Sequence, residues 1–118
     1  MARILIIDDD TYLRTTLEKA LKTANHEIVL AADGHEGIEK HRAEPVDLII
    51  TDLFMPGKEG LETIQQLRKD FPKVPIIAMS GGDMSGNMLT IASKLGAAKV
   101  LQKPFAAEQL LNAIQEVL

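Results

Sequence analysis

Leu48-Ile49-Ile50-Thr51-Asp52-Leu53-Phe54-Met55-Pro56-Gly57 is the stretch that decides the fold. A short run of apolar residues ends on one carboxylate, and a Pro-Gly turn follows at once. The run Leu48–Ile50 reads as a strand buried on both faces, the kind found in parallel sheets. Open α/β sheets place their ligands outside the carboxyl ends of the strands, and Asp52 falls at such an end. A charge there loses hydration, so it needs a metal, a cation or a chemical task unless it is an ordinary turn aspartate.

The sequence on either side repeats this pattern. Upstream, Ile4-Leu5-Ile6-Ile7 is closed by Asp8-Asp9-Asp10, and Ile28-Val29-Leu30 is a further apolar strand. Leu13, Leu17 and Leu21 mark one face of a helix that Asp10 is placed to cap. Asp33 and Glu36 have the N-cap and N3 spacing of a capping box, opening a helix that runs to about Ala43, before Pro45. Downstream, Leu61, Ile64, Leu67 and Phe71 keep helical spacing as far as Pro72. Ile76–Met79 is a strand that ends at Ser80, and Gly81, Gly82 and Gly86 make the next loop the most flexible of the chain. A helix from Asn87 to Leu95 follows, with Gly96 as its C-cap. Lys99–Gln102 is the fifth strand, and Leu110, Leu111, Ile114 and Val117 line the last helix. Five strands alternating with five helices give an α/β fold, a doubly wound parallel sheet with right-handed crossovers, and one domain over residues 1–118.

Composition narrows the function classes. The 118 residues are 46% hydrophobic and 25% charged, which is the balance of a soluble globular protein. A net charge of −4 and an aromatic content of 3% leave no footprint for nucleic acid, and no basic run points to a membrane surface. The chain has no cysteine, which excludes disulfides, thiolate metal sites and thiol catalysis. Its apolar runs fall far short of the roughly 20 residues of a membrane helix, and nothing at the N-terminus resembles a signal peptide. These features fit a cytoplasmic protein.

In this fold every strand's carboxyl end lies on one edge of the domain. The polar residues brought there are Asp8 and Asp9, Asp52, Ser80 and Lys103; the second strand sends none. Converging carboxylates raise one another's pKa unless a cation intervenes, and an oxygen-rich site of this kind suits Mg²⁺. A lysine and a small hydroxyl are groups that hold phosphoryl oxygens. Together the residues describe an aspartate that accepts a phosphoryl group beside a magnesium ion. Singly, each has a plainer role: the acids as a solvated strand end and helix cap, Ser80 as the start of a turn, Lys103 as a surface lysine.

Ile6-Ile7-Asp8-Asp9-Asp10, Asp52-Leu53-Phe54-Met55-Pro56-Gly57, Ser80-Gly81 and Lys103-Pro104-Phe105 resemble the receiver domain of two-component response regulators. The likeness spans the whole chain, with the motifs in the family's order. It implies a CheY-like, flavodoxin-like sheet order of 2-1-3-4-5, with Asp52 as phosphoacceptor. Asp8, Asp9 and Asp52 are then the ligands of Mg²⁺ or Mn²⁺, Asp9 the more direct of the acidic pair, with the backbone carbonyl of Phe54 as a further ligand. Ser80 corresponds to the hydroxyl that moves toward the phosphoryl group and Lys103 to the cation paired with it. Pro104 follows a cis peptide bond, and Gly60 corresponds to the glycine after the loop.

The resemblance implies a histidine kinase or histidine phosphotransfer protein as donor, and a downstream target protein or fused output domain as recipient of the signal. It implies no enzyme activity beyond the domain's own aspartyl phosphorylation and dephosphorylation, and it leaves open whether phosphorylation forms a homodimer. Three departures stand out. Val100 occupies the family's switch-aromatic position, Phe54 puts a bulky apolar side chain where hydrolytic water approaches, and the loop 81–86 is expected to be mobile. The alternative reading is a degenerate receiver that only docks proteins.

Other motifs fall short. Gly81 and Gly86 have P-loop spacing, but Asn87-Met88 stands where Lys-Ser/Thr is required. Ala78-Met79-Ser80-Gly81-Gly82 misses G-x-S-x-G, and no histidine follows Ser80. His26, His35 and His41 lack metal-ligand spacing and read as solvated helix positions.

Overall fold

The computed structural model describes residues 2–53, 60–81 and 87–118, apart from the side chains of 87–89. Its elements alternate throughout: β1 (Arg3–Ile7), α1 (Thr11–Thr23), β2 (Glu27–Ala31), α2 (Gly34–Ala43), β3 (Leu48–Asp52), α3 (Gly60–Asp70), β4 (Ile76–Ser80), α4 (Asn87–Leu95), β5 (Lys99–Gln102) and α5 (Ala107–Val117). The strands form one parallel sheet in the order β2-β1-β3-β4-β5. The register pairs Ile7 with Thr51 and Asp52 with Met79, so the ends of β1, β3 and β4 lie side by side.

The alternation of side chains along each strand splits the core in two. Leu5, Ile7, Ile49, Ile76 and Ala78 pack with Ile38, Ile64, Leu67 and Ala92, the layer under α2, α3 and α4. Ile4, Ile6, Leu48, Ile50, Ile77 and Met79 pack with Leu17, Leu21, Leu110 and Ile114 under α1 and α5. β3 and β4 are buried along their whole length, which explains why their sequence shows an unbroken apolar run. Val100 is half-buried against the first layer and Leu101 against the second.

Asp10 caps α1 through the Leu13 N–H at 3.2 Å, as its position indicates. Only half of the expected capping box forms at α2. The Asp33 carboxylate accepts from the Glu36 N–H at 2.8 Å, while the Glu36 carboxylate accepts from Ala32, one residue before the cap, at 2.6 Å. The reading of the histidines as solvated helix positions is corrected at two of them. His41 is 4% exposed, accepts from the Val46 N–H through Nδ1 at 3.0 Å, and meets Phe71 edge to face. His26 lies in the turn after α1 and accepts from the Ala2 N–H at 3.1 Å. Both rings serve as acceptors for backbone at element ends, a role that spacing between histidines does not encode.

Candidate functional site: an acidic edge

β1 and β3 end level with each other, which brings Asp8 beside Asp52. Asp8 is fully buried and Asp52 is 5% exposed, whereas Asp9 faces solvent. Carboxylate oxygens of all three lie within 4.8 Å of one another. Asp8 is anchored by its backbone, since its N–H donates to Ala31 O at 3.1 Å. Its Oδ1 accepts from the Asp10 N–H at 2.9 Å. Lys103 Nζ reaches in from the end of β5, 3.1 Å from Asp52 Oδ2 and 3.3 Å from Asp8 Oδ2. Its own N–H donates to Ser80 O at 2.8 Å, which ties the β4 and β5 ends together.

Burial pushes the Asp8 carboxyl above its ordinary value; the Asp10 N–H opposes this, and the Asp52 charge adds to it. For Lys103 burial acts to lower the pKa, but the Asp52 and Asp8 carboxylates together outweigh it and the ammonium is held above its ordinary value. The lysine is thus a fixed cation serving two carboxylates, while a third acid stands at the rim. Three carboxylates in this small space form a hard-oxygen set suited to a small divalent cation.

Ser80 is 1% exposed, and its Oγ has no hydrogen-bond partner among the described residues. A buried hydroxyl left unpaired is costly and asks for an explanation. Here it lies at the end of β4, on the edge that carries the acids and Lys103. Two glycines make room for the site. A Cβ on Gly81 would lie 3.0 Å from Lys103 Cδ. A Cβ on Gly60 would lie 2.3 Å from Leu53 Cα and 2.4 Å from Asp52 O, so α3 can start against the end of β3 only with glycine there. The Lys103–Pro104 peptide bond is cis.

Asp8, Asp9, Asp52, Ser80 and Lys103 are therefore brought to one edge by the fold. The Phe54 carbonyl, the Pro56-Gly57 turn and the loop residues 82–86 lie outside the described residues. Sequence reading missed Arg14, whose guanidinium donates to the Asp8 carbonyl at 2.6 Å. Its partner is a backbone carbonyl, so no residue type in the sequence signals the pairing.

The family model of the response regulator receiver domain matches residues 4–115. The chain belongs to the receiver family. This receiver is 33% identical over 116 residues to the response regulator MprA of Mycolicibacterium vanbaalenii, an alignment covering 98% of this chain and 50% of that protein. It is 32% identical to the chemotaxis protein CheY of Listeria monocytogenes, with 98% of each covered. The crystal structure of CheY4 from Vibrio cholerae superposes with a TM-score of 0.92 at 32% identity, covering 100% of this chain and 99% of that one. The receiver thus spans about half the length of its MprA relatives and nearly all of CheY. Among the described residues no helix is long and apolar enough to cross a membrane.

Proposed function

We propose that this receiver is a phosphorylation-activated signalling domain in which Asp52 accepts a phosphoryl group from a histidine kinase or a histidine phosphotransfer protein. The observation that carries the reading is the convergence on one edge of Asp8, Asp9 and Asp52 with Lys103 and a Ser80 hydroxyl that has no partner among the described residues. A carboxylate oxygen of Asp52 bonds to phosphorus as the donor's P–N bond breaks, and the electron pair of that bond returns to the donor imidazole. Lys103 moves its charge from the carboxylates to the phosphoryl oxygens, and Ser80 donates its hydroxyl to one of them. Mg²⁺ or Mn²⁺ held by Asp9, Asp8 and Asp52 supplies charge neutralisation for the phosphoryl oxygens. The acids are already oriented by strand ends and backbone, so they themselves reorganise little during the transfer.

On this reading residues 1–118 act as one receiver domain in the cytoplasm, with catalysis limited to its own phosphorylation and dephosphorylation. The output is a changed surface offered to a target protein or a fused output domain, without direct contact to nucleic acid. With Val100 in place of an aromatic residue, the movement of Ser80 and Lys103 must reach that surface without an aromatic rotamer switch.

The test is intact mass after incubation with Mg²⁺ and acetyl phosphate. One added phosphoryl group, lost in Asp52→Asn and lost without divalent cation, is the expected result. A folded wild type that is never modified would leave a docking module in its place.

A further inference from the structure

The acids at the end of β1 are neighbours with different surroundings, Asp8 fully buried and Asp9 at the rim. The peptide unit between them therefore decides where Asp9 points. The oxygen of that unit, the Asp8 carbonyl, accepts a guanidinium N–H of Arg14 at 2.6 Å. Arg14 sits in the first turns of α1, where its backbone N–H closes on Asp10 O at 3.0 Å and its other guanidinium nitrogen lies 3.3 Å from Thr11 Oγ1. The segment 8–10 is thus held from three directions. β2 holds Asp8 through Ala31, the Asp8 carboxylate holds the Asp10 N–H, and Arg14 holds the peptide plane. A charged donor makes this last bond stronger than a neutral one. Its acceptor is backbone, so Arg14 orients an acid without neutralising it.

We propose that Arg14 is a positioning residue that sets the divalent-ion affinity of the acidic edge by fixing the Asp8–Asp9 peptide plane. The inference rests on the reading of Asp8, Asp9 and Asp52 as the ion's ligands. Two effects of removing Arg14 oppose each other. Loss of a cation near three carboxylates would by charge alone tighten the binding of a divalent ion. Loss of the bond that aims Asp9 loosens it, and outer partners of metal ligands contribute about 10- to 100-fold in affinity. Orientation wins on these magnitudes, because the charge effect of a rim guanidinium is screened by water and salt.

The experiment is a Mn²⁺ titration of the whole chain, read by the electron paramagnetic resonance of free Mn²⁺, for wild type and Arg14→Met. The expected result is affinity lowered by about tenfold, the low end of that range, with the metal-free variant still unfolding in one cooperative urea transition. Phosphorylation by acetyl phosphate should then half-saturate at a correspondingly higher Mg²⁺ concentration, with its rate at saturating Mg²⁺ unchanged. A purely structural Arg14 would not produce that split. Equal or tighter Mn²⁺ binding in Arg14→Met overturns the proposal. Should that variant not unfold cooperatively, Arg14→Gln carries the test with the same two outcomes. A wild type that binds no Mn²⁺ overturns the ligand reading and this inference together; binding that the substitution leaves untouched overturns the inference alone.

Discussion

Replacing Ser80 by alanine should make the unphosphorylated receiver more stable. The Ser80 Oγ is buried without a hydrogen-bond partner among the described residues, and its backbone carbonyl is already satisfied by the Lys103 N–H. Leaving a buried hydroxyl unpaired costs about 1–3 kcal/mol, all of it recovered when the hydroxyl is removed. Against this stands the lost packing of one oxygen atom, on the order of 0.5 kcal/mol from its few atomic contacts. The net gain is about 1 kcal/mol, which for a domain of this size raises the melting temperature by roughly 3–6 °C. The assay is urea and thermal unfolding of the metal-free proteins side by side. When both proteins carry the phosphoryl group the gap should close, because in the wild type the hydroxyl then has an acceptor. A Ser80→Ala protein less stable than wild type by 1 kcal/mol or more would refute the reasoning, since the hydroxyl would then be paired and structural.

The other outcomes follow from the same geometry. Lys103→Met removes the ammonium shared by Asp8 and Asp52, which are 0% and 5% exposed, and should destabilise the metal-free fold by about 3 kcal/mol, the low end for a broken buried ion pair because the lysine itself is partly open to water. That loss should shrink when Mg²⁺ is added; unfolding in urea with and without the ion checks both. Gly60→Ala drives a Cβ to 2.3 Å from Leu53 Cα, where only backbone can yield, and should cost about 1–3 kcal/mol while weakening Mn²⁺ binding. Wild-type values in both measurements would show that α3 shifts freely. Burial holds the His41 pKa below 6.5 in the fold, so the unfolded chain takes up the proton first. The stability due to neutral His41 is therefore complete above about pH 6.5 and falls as pH drops toward the folded-state value. His41→Leu should flatten the stability profile between about pH 7.5 and 5.5, and an unchanged slope would count against the assignment.

The buried strands were legible because Leu48–Ile50 and Ile76–Met79 lie on a sheet covered on both faces and cannot afford a polar position. Asp52, Ser80 and Lys103 were legible for a related reason: each stands at the carboxyl end of its strand or one residue past it, and the topology converts that place in sequence into a place on one edge. Arg14 and His41 were not. Their partners are backbone groups, the Asp8 carbonyl and the Val46 N–H, and any residue type supplies those, so the sequence carries no mark of the pairing. The same holds at α2, where Glu36 takes the Ala32 N–H in place of the Asp33 N–H that the spacing indicated. Gly60 was singled out only by resemblance; its physical reason, a helix start packed against the end of β3, emerges only in three dimensions.

Among the described residues three carboxylates cluster on this edge, and Asp52 is the one expected to take the phosphoryl group. The most direct test is to trap the acyl phosphate by borohydride reduction after phosphorylation and locate the altered residue by peptide mass spectrometry. The account predicts modification at Asp52 alone, with Asp8 and Asp9 intact. Reduction at Asp8 or at Asp9 would contradict it, because the buried, lysine-paired carboxylate at the end of β3 would then not be the nucleophile.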